Sequence, residues 1–168
     1  MERIGKEKYY LEIAETVAKR SPCVRRKYGA IVVKNDSIVS TGYNGPARGS
    51  TNCEIGCAKE ILNLPHYSGY DHCPAVHAEE NCIINAARNG SSVLEGTLYL
   101  YGIDAKTNEF VEGMPCPRCK RSLINGGIED VITINKNGDI VRLYVKEWAK
   151  EDKKNYEKII QELLTKKK

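Results

Sequence analysis

Residues 77–101, HAEENCIINAARNGSSVLEGTLYLY, place a helix directly before a strand, and that alternation sets the fold class. Ala78 to Asn89 carries its apolar residues at helical spacing, and Gly90 stands where a helix end favours glycine. Cys82 lies among Ile83, Ile84 and Ala87 in this periodic stretch and reads as a small packing residue. Thr97 to Tyr101 reads as a strand.

The same alternation extends outward. Residues 6–20 form an amphipathic helix on Leu11, Ala14, Val17 and Ala18, stopped where Pro22 pulls Ser21 away from helical dihedrals. Gly29 to Val33 and Ile38 to Thr41 are β-branched runs around Lys34-Asn35-Asp36-Ser37, the pattern of a hairpin. Gly42 to Asn52 is loop, and 53–76 is a long connection with a short helix near Ala58–Leu62. Downstream, Cys116 to Asn125 is a helix ended by Gly126-Gly127, and Val131 to Ile134 is a strand. Asn137-Gly138 then turns the chain into a strand over Ile140 to Val145. A helix at about 147–165 follows, whose Trp148, Tyr156, Ile159, Ile160 and Leu163 are expected to dock on the body. Strands alternating with helices imply one layered α/β domain over 1–168, and the hairpin makes its sheet mixed.

Composition narrows the classes. The chain is 41% hydrophobic and 29% charged, and no apolar run approaches the ~18–20 residues of a membrane span. The N-terminus lacks the apolar core of a signal peptide, so a cytoplasmic setting is expected. The net charge of +4 rests partly on Lys166-Lys167-Lys168, which reads as a solvated helix end. No stretch interleaves tyrosines with Arg and Lys as a single-strand-binding platform would, so neither nucleic acid nor membrane is an expected partner. Seven cysteines in a reducing compartment point to metal or catalysis.

Two motifs carry chemistry: His77-Ala78-Glu79 and Pro115-Cys116-Pro117-Arg118-Cys119. Cys116 and Cys119 are three apart at a helix start, about 60° from one another, where the helix dipole favours thiolate. With His77 they make three zinc ligands and leave a fourth position open, the layout of a catalytic zinc. His77 and Glu79 would point about 200° apart on a regular helix, so the pair requires His77 at the irregular cap with Glu79 in the first turn. Glu79 is then the group that moves protons to and from water, ring nitrogen and departing ammonia. HxE followed by PCxxC is the signature of zinc nucleobase deaminases.

With RKYGAIVVKNDSIVSTGYNG (26–45), HAEENCIINAARNG and PCPRCKRSLINGGIEDV, the chain resembles the deoxycytidylate deaminase branch of the cytidine deaminase superfamily over roughly residues 8–134. The resemblance implies a three-layer α/β/α fold with a mixed central sheet and a homo-oligomer. It also implies hydrolysis of a cytosine nucleotide, dCMP or CMP, to its uracil form and ammonia. It further implies that Asn44 hydrogen-bonds the sugar, against a simple turn role between glycines, and that the Ala78 N–H holds the base carbonyl. Deamination of another nucleoside, a nucleobase or a tRNA adenosine is the alternative substrate reading. A non-catalytic zinc module is a further alternative, which the retained Glu79 opposes. Some members of the branch carry an additional zinc; Cys23 and Cys53 fall at its ligand positions, with Cys57 and Cys73 to complete it or His72 in place of either, and His66 lies nearby in sequence. Arg25, Arg26, Lys27 and Arg48 are candidates for the 5′-phosphate, since guanidinium matches it bidentately. The sequence departs from the branch in the insertion Gly102 to Met114, whose Asp104, Lys106, Asn108 and Glu109 are expected to reach a bound nucleotide and tune substrate choice, with a pure oligomer contact as the equal alternative.

Overall fold

A computed structural model describes residues 3–65 and 68–166; His66 lies outside them. Helix α1 (Lys6–Lys19) leads into β1 (Arg26–Lys34) and β2 (Ser37–Tyr43), joined by a tight turn with Asn35 and Asp36 at φ 50° and 60°. Two central residues at positive φ match the right-handed twist of the flanking strands, which is why this Asn-Asp pair closes a hairpin. The short β3 (Gly45–Pro46), α2 (Ala58–Ile61) and β4 (Ala75–Val76) precede α3 (Ala78–Arg88). Then come β5 (Thr97–Asp104), β6 (Phe110–Val111), α4 (Pro117–Gly126), β7 (Asp130–Ile134), β8 (Ile140–Tyr144) and α5 (Val145–Lys166).

The main sheet runs β2-β1-β5-β7-β8, with β6 on the far end of β5. β1 is antiparallel to β2 and β5, β5 is parallel to β7, and β7 is antiparallel to β8. The sheet is therefore mixed, because a tight turn reverses the chain whereas the α4 crossover returns it in the same direction.

Alternation along β1 builds two cores. Ile31 and Val33 face α1, whose Tyr10, Leu11 and Ala14 close over them with Tyr99 and Ile132. Ala30 and Val32 face the other way, with Leu98, Leu100 and Val131, under Ala78, Cys82 and Ala86 of α3 and Leu123 of α4. Helices on both faces make three layers. Cys82 is fully buried, and burial pushes its thiol up to about 12, consistent with a packing residue.

Helix α3 ends on Asn89 with Gly90 just past it at φ 68°, the left-handed position beyond a helix end that favours glycine, as expected. One expectation changes. Of the α5 residues expected to dock, only Trp148 is buried; Tyr156, Ile159, Ile160 and Leu163 stay exposed. The reason is length: α5 has 22 residues and α4, its support, has 10. Arg121 of α4 holds Asp152 at 3.0 Å, and beyond that point α5 outruns the body.

Candidate active site

His77 follows β4 in extended conformation, φ −74° and ψ 158°, and α3 begins at Ala78. This is the cap geometry that the His77-Glu79 pair requires, so the two side chains line one cavity instead of opposite helix faces. The His77 N–H donates to Glu80 Oε2 at 3.3 Å, closing the first turn, and Arg118 of α4 donates to the same oxygen at 2.9 Å. Gly42 seats this helix start on β2: a Cβ there would stand 2.4 Å from Cys82 N and 2.5 Å from Ala78 O.

Cys116 caps α4 with Pro117 at the first helical position, where a missing N–H costs nothing. His77 Nδ1 lies 3.5 Å from Cys116 Sγ and 3.2 Å from Cys119 Sγ. Tetrahedral zinc with ordinary Zn–N and Zn–S bonds needs an N···S edge of about 3.6 Å, so this donor set fits the ion. Among the described residues, these three form the one group of His, Cys, Asp or Glu side chains with all donor atoms within 4.8 Å.

The electrostatics agree. Cys116 is pushed down to about 3, first by the Cys119 thiol donating to it and then, against burial, by His77. Cys119 is pushed up by that same bond and by burial. Burial lowers His77, but Cys116 and Glu79 outweigh it and raise it overall. Glu79 is raised by burial, which His77 offsets only in part. A nearly enclosed carboxyl that holds its proton more tightly than usual suits proton transfer.

The cavity spans about 820 Å³ counting the open solvent at its mouth. Asn44 lines it, buried. Its Oδ1 accepts from the Tyr28 N–H and lies 2.7 Å from the Ser21 hydroxyl, while Nδ2 donates to Arg26 O. The turn role is thus built in, and one amide hydrogen remains beyond those bonds. Ala78 also lines the cavity, at a helix position whose N–H has no intrahelical acceptor. Of the four basic candidates, Arg25 and Arg26 line the cavity, whereas Lys27 and Arg48 do not. Arg48 instead donates to Asn85 Oδ1 at 2.8 Å. Lys59, Tyr28, Tyr70 and Met114 line it as well and were not anticipated. Lys59 and Tyr70 lie in the connection 53–76, where no periodicity announces which side chains turn inward.

Residues 4–135 match the family described as the cytidine and deoxycytidylate deaminase zinc-binding region. The chain belongs to this family. It is 33% identical to the deoxycytidylate deaminase of Schizosaccharomyces pombe over 75% of its own length, although it spans only 36% of that protein. It is 34% identical to the deoxycytidylate deaminase of Mycobacterium phage D29, covering 79% of this chain and 96% of the phage protein. The crystal structure of dCMP deaminase from cyanophage S-TIM5 in complex with dCMP and dUMP superposes with a TM-score of 0.56 at 28% identity. That match covers 79% of this chain and 85% of the phage chain.

Cys23, Cys57 and Cys73 line the cavity wall, and the Cys53 thiol is raised by burial and then by Cys23, Cys73 and Cys57. The four are neighbours, but more loosely gathered than the triad. The insertion forms a hairpin, Gly102 and Ile103 pairing with Val111 and Phe110. Its polar residues do not reach the cavity as expected. Asp104 accepts from the N–H groups of Lys106 and Thr107, and Lys106 pairs with Glu60 at 3.2 Å. The insertion instead delivers Met114 to the wall.

Proposed function

We propose that this chain deaminates a cytosine nucleotide, dCMP or CMP: water adds at C4 of the base, and ammonia leaves to give dUMP or UMP. The observation that carries the reading is a buried Glu79 beside the His77, Cys116 and Cys119 donor set. Zinc held by that set supplies an open position at which water is activated near neutral pH. Glu79 takes a proton from this water and passes it to the ring nitrogen, then takes the remaining proton from the new C4 hydroxyl and delivers it to the departing amino group, so that the C4 carbonyl forms as the C4–N bond breaks. The Ala78 N–H meets the base carbonyl, and the remaining Asn44 amide hydrogen meets the sugar. Arg25 and Arg26, joined by Lys59, gather basic charge for a 5′-phosphate. The deoxycytidylate deaminases to which the chain is similar support this choice of substrate.

The test is ammonia release from dCMP, CMP, the corresponding nucleosides, free cytosine and adenosine-containing tRNA. Nucleotides should exceed nucleosides in kcat/KM, since the nucleosides leave the basic wall unused. Preferred turnover of adenosine or of a free base would overturn the substrate reading, and no ammonia from zinc-loaded protein would overturn the reaction.

Three further proposals attach to this reading. Cys23, Cys53, Cys57 and Cys73 hold a structural zinc that orders the 46–76 segment, where exposed Ile55, Ile61 and Leu62 leave little apolar burial to do so. The chain works as a homo-oligomer, and the exposed apolar stripe of α5 is a surface that self-association would cover. It acts as one domain over 1–168 in the cytoplasm, a reducing compartment that suits seven cysteines outside any disulfide; among the described residues no helix is long and apolar enough to cross a membrane.

A further inference from the structure

Of the three basic residues that line the cavity, Arg25 and Arg26 stand at the entry to β1, whereas Lys59 stands on α2. That helix has four residues and buries none of them; Ala58, Glu60 and Ile61 are exposed and Lys59 is half-buried. A lysine side chain has many rotamers, so its charge on such a support is spread over many positions unless a contact holds it. Glu60 pairs with Lys106 at 3.2 Å, and among the described residues no carboxylate pairs with Lys59 itself.

The contact that holds Lys59 is the Tyr70 ring. Its centroid lies 5.2 Å from the ammonium, inside the ~6 Å over which an aromatic face attracts a cation. The ring is itself fixed. Gly69 at φ 63° opens the 3₁₀ turn Tyr70–His72, and the ring lies 5.8 Å from the His77 ring at 51°. The Arg118 guanidinium stands 5.1 Å from the same centroid and donates to Glu80 Oε2 at 2.9 Å, the oxygen that also accepts from the His77 N–H. Tyr70 is thereby tied to the starts of α3 and α4, and Lys59 is tied through it. Of the two cations on the ring, Arg118 has its charge met by Glu80, while the Lys59 charge remains for an anion in the cavity. The phenol oxygen finds no hydrogen-bond partner among the described residues, so the ring is what Tyr70 contributes.

We propose that Tyr70 is a positioning residue for the nucleotide phosphate: its ring holds the Lys59 ammonium at the cavity wall, where the phosphate meets it already ordered. This rests on the nucleotide reading above. A group ordered before binding gives tighter association, because less side-chain freedom is lost when the ligand arrives. The competing use of the ring is direct contact with the base, since Tyr70 also lines the cavity. The two uses separate by substrate: loss of a phosphate anchor weakens nucleotides alone, and loss of a base contact weakens nucleosides equally.

The test compares kcat/KM on dCMP and deoxycytidine for zinc-loaded parent, Tyr70→Leu, Tyr70→Phe, Lys59→Met and the Tyr70→Leu/Lys59→Met double variant. Tyr70→Leu should lower the dCMP-to-deoxycytidine ratio about 3–10-fold, through KM, as loss of a cation–ring contact does. Tyr70→Phe, which keeps the ring, should restore the ratio to within about twofold of the parent. Pentafluorophenylalanine at position 70, which keeps the shape but removes the negative face, should behave like Tyr70→Leu and covers the case in which leucine fails to fold. The double variant should have the ratio of Lys59→Met alone, because a ring with no ammonium to hold contributes nothing further. Titration of dUMP against deoxyuridine reads the same preference without turnover. Equal losses on dCMP and deoxycytidine in Tyr70→Leu would overturn the proposal in favour of a base contact, and additive losses in the double variant would overturn it as well. A parent chain that prefers deoxycytidine to dCMP would overturn the nucleotide reading itself, a result distinct from failure of Tyr70 alone.

Discussion

The Thr133 hydroxyl lies 3.1 Å from the Gly113 carbonyl, and a Cβ on Gly113 would stand 2.1 Å from that same hydroxyl oxygen. Gly113 also donates its N–H to Ile134 O at 3.2 Å, so the end of the insertion is pinned to β7 three residues before Cys116. Gly113→Ala should destabilise the fold by about 1–3 kcal/mol through overpacking. It should also weaken zinc retention, because the strain falls on the run into α4. Thr133→Val should cost about 1–3 kcal/mol by removing the single hydroxyl hydrogen that the buried carbonyls of Leu100 and Gly113 share, without the clash. Calorimetric unfolding with zinc analysis checks both; a wild-type Tm for Gly113→Ala would refute the packing argument.

Glu79→Gln should keep the catalytic zinc while kcat falls by roughly 10²–10⁴-fold, the range for loss of a general acid–base group. Gln preserves the volume of the buried carboxyl, so a folded and metal-loaded variant is expected. Zinc content and single-turnover rates measured on one preparation separate the outcomes. Loss of zinc would make Glu79 a support of the metal, and retained turnover would remove it from the chemistry.

The cysteine cluster is tested by counting metal. Protein purified under reducing conditions should carry about two zinc ions per chain, and Cys53→Ser should lower that to about one while sparing activity more than Cys119→Ser does. One zinc in the parent, unchanged by Cys53→Ser, would leave the four thiols as neighbours without a metal.

The α5 stripe bears on assembly. Tyr156 and Leu163 are 64% and 53% exposed, and Ile160 lies between them on the same face. Ile160→Glu should shift sedimentation toward a smaller species without lowering zinc content, since the stripe is remote from the triad in sequence and rests on no buried contact. An unchanged sedimentation profile would place any oligomer interface elsewhere.

Tyr10 ties α1 to the β1–β2 turn, donating to Asp36 Oδ1 at 2.9 Å. Burial, and then Asp36, push its phenol up from 10.0 to about 12. The folded state thus holds this proton more tightly than the unfolded chain, so the stabilisation is complete below about pH 10 and is lost as pH rises through about 12. Tm should fall across that window, and Tyr10→Phe should make the decline shallower. An identical alkaline slope in Tyr10→Phe would refute the linkage.

What could be read from the chain alone is what short-range chemistry imposes. Helical spacing in α1 and α3, β-branched runs in β1 and β2, and a turn-forming Asn-Asp pair act over a few residues, so each element announces itself. The zinc motifs were legible for the same reason: two thiols three apart at a helix start and a histidine two before a glutamate are local patterns, and their order suggested one site. The sequence could even state the condition that His77 must sit at the cap. Contacts made across the fold were beyond it. Arg25 and Arg26 reach the cavity while Lys27 and Arg48 do not, because strand direction and a bond to Asn85 decide this. Lys59 and Tyr70 enter from a connection with no period to reveal an inward face. The outer turns of α5 carry a docking stripe by pattern, yet only the tertiary structure, in which the supporting α4 is shorter than α5, determines that nothing in the described chain covers it. Periodicity reports which residues of one element share a face; packing alone determines what that face meets.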